Sequence, residues 1–225
     1  MTLQGLLALI LLFELIYLLK KERLHSLSLI YQILVATVAI LIAKHMFDGF
    51  VNFQVLNQIQ IEPTSTKMSL FLSFDKGVVG FLLLGIIPIC HSIQDWKKVL
   101  KGILIYLPIA IFIMLILVWI LGYVKWSVKF PSFLWIWSLA NLFLVSISEE
   151  TIFRGFIQKR LVDLFGNHIL SKIGAIIIAS VLFGFVLHPG SVIYKALATI
   201  AGIIYGISYP DYPKNRNSDW SALFI

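Results

Sequence analysis

Charge is what this chain has least of: Asp, Glu, Lys and Arg make up 13% of its 225 residues, against 60% hydrophobic. So few charges cannot clothe a soluble domain of this length, so the bilayer must take the place of water. Cysteine is nearly missing too. Cys90 stands alone, which excludes an internal disulfide and a clustered thiolate metal site and leaves a small packing residue. Internal repeats, low-complexity tracts and a soluble accessory domain are also lacking, so the expectation is one integral membrane domain over residues 1–225. The net charge of +7 is spread over short connections, where it speaks for orientation in an anionic membrane rather than for a nucleic acid partner.

What is abundant is long apolar runs. They lie at Leu3 to Leu19, Leu27 to Ile42, Val78 to Ile89, Ile103 to Val124, Phe133 to Ile147, Ile169 to Leu187 and Val192 to Tyr209. This predicts an all-α fold, a polytopic transmembrane bundle of about seven helices, with the third and fifth windows short for a full crossing. The first run has no basic region ahead of it and closes on Lys20-Lys21-Glu22-Arg23, so it reads as a retained helix rather than a signal peptide. Lys20, Lys21 and Arg23 follow the first run, Lys97, Lys98 and Lys101 the third, and Arg154, Lys159 and Arg160 the fifth. These alternate connections are expected to face the cytoplasm of a multi-pass inner-membrane protein. Lys125 and Lys129 lie on the opposite side. There too lies the polar segment from Asp48 to Asp75, where Glu62-Pro63-Thr64-Ser65-Thr66 marks a turn. Apolar positions alternate around Val55 to Ile61, and the segment reads as an amphipathic surface stretch or a connecting loop.

Chemistry begins at Ser148-Glu149-Glu150-Thr151-Ile152-Phe153-Arg154-Gly155, where two carboxylates and an arginine end a long apolar run. Ionisable groups beside hydrocarbon are costly and usually functional. On a helix Glu150 and Arg154, four apart, share a face, while Glu149 points elsewhere and is expected to be free. A free carboxylate in a poorly hydrated pocket suits a general base that takes a proton from water. The same residues also suit the start of a cytoplasmic amphipathic helix, with acids near its N-terminus and Lys159 and Arg160 in solvent. His188 ends the next apolar run before Pro189-Gly190, where a lone histidine is more often a cap or interface residue than a ligand. Glu14 inside the first run suits helix pairing or an ion path, and Lys195 can snorkel to the surface. His45, His91 and His168 read as interfacial, and Trp96, Trp126, Trp135 and Trp137 as members of aromatic belts.

The run Glu149-Glu150-Thr151-Ile152-Phe153-Arg154-Gly155 resembles the Glu-Glu-x-x-x-Arg signature of the CAAX-protease and bacteriocin-processing family of intramembrane proteases, also called CPBP or Abi. Ser180 to Gly190 is similar to the family's Phe-x-x-x-His motif, except that Gly184 stands four residues before His188, with Phe183 and Phe185 on either side. One extra residue turns the histidine by roughly 100° around a regular helix unless a local bulge absorbs it. Ala201 to Tyr209 is similar to the family's glycine-rich helix. The resemblance covers about residues 133–209 and implies peptide-bond hydrolysis, with Glu149 as general base and Glu150 and Arg154 orienting it. His188, with Glu149, would then hold the attacking water or a divalent metal such as zinc. It implies substrates that are prenylated peptides, bacteriocin precursors or other membrane-associated proteins.

The family's further histidine, followed four residues later by asparagine or aspartate, is not reached before Ile225. The ending Trp220 to Ile225 is therefore expected to be a truncation. A catalytic zinc takes about three protein ligands, so a family member that binds a membrane partner, or confers bacteriocin immunity without cutting, is the first alternative. A small transporter using Glu14, Glu149 and Arg154 is the third reading. Bringing Glu149 near His188 further requires that the fifth helix run on through Arg154 towards Leu164.

Overall fold

The computed structural model describes residues 2–21, 25–63, 65–87, 92–124, 127–166 and 168–209. Arg23, Cys90, His91, Lys125, Trp126 and the ending from Pro210 to Ile225 lie outside the described residues. The order is α1 (Leu3–Lys21), α2 (His25–Ala43), β1 (Phe53–Ile59), β2 (Met68–Leu72), α3 (Phe74–Leu84) and α4 (Ile93–Ile120). The long helices α5 (Leu134–Phe165) and α6 (Ile169–Leu187) follow, then α7 (Val192–Ser208).

Helices α1, α4, α5 and α6 are long and apolar enough to cross a membrane, and Leu27–Ala43 and Val192–Ser208 are shorter apolar stretches. Among hydrocarbon tails the backbone must satisfy its own hydrogen bonds, which is why leucine- and isoleucine-rich runs become helices here whatever their β propensity. The chain is a multi-pass helical membrane protein, as its composition requires. Serines start two of the helices: Ser92 accepts from the Asp95 N–H at α4, and Ser191 from the Tyr194 N–H at α7. Gly190, at φ 124°, makes the reversal between α6 and α7 that a side chain would disfavour.

Three elements depart from expectation. The third helix begins before Val78 and ends at Leu84, so with 11 residues it is too short to cross. The segment expected as an amphipathic stretch or loop is an antiparallel hairpin, pairing Phe53 with Leu72 and Ile59 with Met68. Its alternating apolar positions were the pattern of a strand. The fifth helix does not stop at Ile147 but continues to Phe165.

Neither α5 nor α6 is a uniform α-helix. α5 widens to π geometry over Asn141–Ser146 and again over Thr151–Gln158, and α6 does so over Leu182–Leu187. The core sits where α1, α2, α3, α5 and α6 converge, on Leu12, Val35, Ile42, Leu83, Ile152 and Phe153. α7 packs on α6, and α4 on α7.

Candidate active site

Glu149 sits in the short α-helical stretch between the two π segments of α5, and 7% of its surface is exposed. It has a partner, contrary to the expectation of a free carboxylate: the Lys76 ammonium in the first turn of α3 donates to its Oε1 at 3.0 Å. Sequence spacing showed the neighbour four residues away and had no means of showing one 73 residues away. Glu149 Oε2 has no hydrogen-bond partner among the described residues.

Glu150 and Arg154 face each other as the spacing predicts, with Arg154 Nε 3.6 Å from Glu150 Oε2. The arginine is fully buried. Its Nη2 donates to the Gly202 carbonyl of α7 at 3.0 Å, and its guanidinium lies over the Phe183 ring of α6, 4.8 Å from the centroid. Gln158, one turn on, repeats the bond by donating from Nε2 to the Gly206 carbonyl at 3.0 Å. Gly202 and Gly206 permit this approach, because a Cβ on Gly202 would lie 3.2 Å from Arg154 Nη2 and one on Gly206 2.8 Å from Gln158 Oε1. The arginine therefore clamps α5, α6 and α7 together beneath the glutamates.

His188 ends α6 immediately after its π segment. Five residues in an i→i+5 helix complete about one turn, so the extra residue that would misdirect the histidine on a regular helix is absorbed. Phe183 and His188 accordingly meet edge to face, with ring centroids 4.5 Å apart, and His188 Nδ1 donates to the Phe183 carbonyl at 2.9 Å. Gly184 cannot carry the expected phenylalanine. A Cβ there would lie 2.0 Å from Thr199 Oγ1 and 2.5 Å from the Lys195 carbonyl of α7. His188 also meets Tyr194 edge to face, with centroids 5.7 Å apart.

Glu149 and His188 line one cavity of about 820 Å³. It opens where α2 and α6 end, where α3 and α7 begin, and beside the first half of α5. Lys76, Asn141, Tyr194, Trp137 and the hairpin residues Ser69 and Phe71 share its wall. So does His45, which the sequence suggested was merely interfacial. Its Nδ1 pairs with the Asp75 carboxylate, whose side chain is fully buried. Asn52 Nδ2 donates to Asp75 Oδ1 at 3.0 Å, and the Lys76 N–H does so at 2.9 Å. Burial works against the ionised form of Asp75, but the bonds from His45, the Lys76 amide and Asn52 outweigh it and hold the carboxyl below its ordinary range. No short motif joins residues 45, 52 and 75, so sequence spacing carried no signal of them.

Glu14 is exposed on α1 and is not part of this wall, and His168 is exposed ahead of α6. Among the described residues no three His, Cys, Asp or Glu side chains come together in a metal-binding group. Glu149 and His188 thus fall short of the three ligands that a catalytic zinc takes, and the Lys76 ammonium on Glu149 further disfavours a cation. Among the described residues, no set fits a zinc site.

Residues 131–216 match the family described as type II CAAX prenyl endopeptidase Rce1-like. No curated protein and no solved structure matches the chain.

Proposed function

Taking the Rce1-like domain over residues 131–216 as premise, we propose that the chain is an intramembrane endopeptidase of the cell inner membrane, acting on membrane-associated, lipid-anchored peptides. The observation that carries this reading is that Glu149 and His188, from different helices, line one cavity at the end of the bundle.

The chemistry follows from the hydrogen bonds. His188 donates its Nδ1–H in a hydrogen bond to the Phe183 carbonyl, so the neutral ring presents Nε2 as an acceptor for a water O–H. Glu149 takes the second proton of that water as its oxygen attacks the substrate carbonyl. Negative charge leaves the glutamate as it appears on the carbonyl oxygen. The Lys76 ammonium, no longer facing a carboxylate, then stabilises the oxyanion. Arg154 and Glu150 touch neither water nor substrate. They fix α5 against α6 and α7, and so fix where Glu149 sits. Exposed apolar residues on α4, such as Phe112 and Trp119, give the bundle its lipid contact.

The test is cleavage of a lipid-anchored peptide by the chain in proteoliposomes. Glu149→Gln and His188→Ala each lower the rate by about 100-fold or more. An unchanged rate in Glu149→Gln would sink the proposal.

A further inference from the structure

Beyond the Rce1-like segment, the cavity has a second ionisable wall made by the α2 terminus, the hairpin and α3. We infer that His45, held by Asp75, is the catalytic acid that protonates the leaving nitrogen. This rests on the hydrolase reading above.

Three observations meet at His45. Its side chain is 47% exposed while that of Asp75 is 0%, so the ring bridges a buried carboxylate and the open cavity. Its Nδ1 is committed to Asp75, and Asn52 and the Lys76 amide hold that carboxylate from other sides. The remaining ring nitrogen, Nε2, has no hydrogen-bond partner among the described residues. The left-handed backbone of His45, at φ 57°, is the ordinary end of α2, where the His45 N–H donates to the Ile42 carbonyl and the Met46 N–H to the Leu41 carbonyl. A staple joining three elements would need only the Asp75 to Asn52 bonds. It would not need an imidazole turned to the cavity.

The two histidines then divide the work by their bonds. His188 donates its Nδ1–H to a carbonyl, so its Nε2 accepts from water, whereas His45 holds the Asp75 carboxylate at Nδ1 and offers Nε2 to the leaving nitrogen. The protons balance. Glu149 takes one from water as the C–O bond forms. His45 gives its Nε2 proton to the nitrogen as the C–N bond breaks, and the proton on Glu149 returns to His45 through cavity water. One water is consumed, and an acid and an amine leave.

The experiment compares an amide and a nitrophenyl ester of the same lipid-anchored peptide in proteoliposomes, because the ester's leaving group departs without a proton. His45→Asn is the variant of choice, since asparagine tolerates the left-handed backbone. His45→Gln runs beside it, with thermal unfolding of both in detergent. The expected result is a loss of about 100-fold on the amide, at least about tenfold larger than on the ester, while Glu149→Gln loses both. Amide hydrolysis that survives in both His45 variants overturns the assignment and leaves the hydrolase standing. Equal loss on amide and ester overturns it too, in favour of a staple. A parent chain that cleaves neither substrate overturns this inference together with the hydrolase.

Discussion

Lys76 and Glu149 pair at 3.0 Å, with side chains only 15% and 10% exposed, so a carboxylate from the Rce1-like segment is held by a cation from outside it. Breaking a buried pair from one side leaves a stranded charge. Lys76→Met therefore destabilises the protein by roughly 3 kcal/mol, and adding Glu149→Gln restores most of the loss. Denaturation of the two single variants and the double variant in detergent measures the coupling, and strictly additive losses would refute the pairing.

Arg154 contacts Gly202 and Phe183 through a planar guanidinium, which a lysine cannot reproduce. Arg154→Lys costs about 2 kcal/mol or more, and Arg154→Leu removes the clamp while sparing the desolvation of a charge. The ordering to look for is that leucine unfolds no earlier than lysine in a thermal melt, although lysine keeps the charge.

Restoring the family's spacing at α6 should harm rather than help. Gly184→Phe drives a side chain into Thr199 and the Lys195 carbonyl, which are α7 groups within 2.5 Å of the new Cβ. Such overpacking against backbone costs roughly 3 kcal/mol or more. The double change Phe183→Gly with Gly184→Phe does not recover the folded yield. Recovery would mean that the π segment is not what aims His188.

Asp75 gives stability a definite sign against pH. Its carboxyl is held below its usual 3.8 in the folded state. Its contribution is thus fully present above the unfolded value and is lost as pH falls through the lower folded value. Unfolding followed from pH 6 downward shows a decline below about pH 4 that Asp75→Asn lacks at this group, measured as the difference between the two curves. A difference that instead grows towards high pH would contradict the bond pattern around His45.

The hairpin lies at the cavity end of the bundle, whereas Lys97, Lys98 and Lys101 lie near the start of α4 and Lys159 and Arg160 near the end of α5. By the positive-inside rule the cavity mouth is expected on the side away from the cytoplasm. In a Cys90→Ala background, a membrane-impermeant maleimide labels Thr66→Cys in intact cells and labels His168→Cys only after lysis. The reverse pattern would invert the topology.

The sequence by itself determined what the bilayer demands. The apolar runs became α1, α2, α4, α5, α6 and α7, because a segment in hydrocarbon has few ways to satisfy its backbone. The spacing of Glu150 and Arg154 placed them together because helical periodicity is local. Tertiary structure decided the rest. His45 reaches the site from the end of α2, Asn52 from the approach to the hairpin, and Asp75 and Lys76 from the start of α3, and contacts across such separations leave no period in the chain. The offset of the phenylalanine from His188 left a local bulge open, and the structure places π geometry over Leu182–Leu187, with Gly184 packed tightly against α7. The motif named the residues. Their protons, partners and directions were set by what the helices press against.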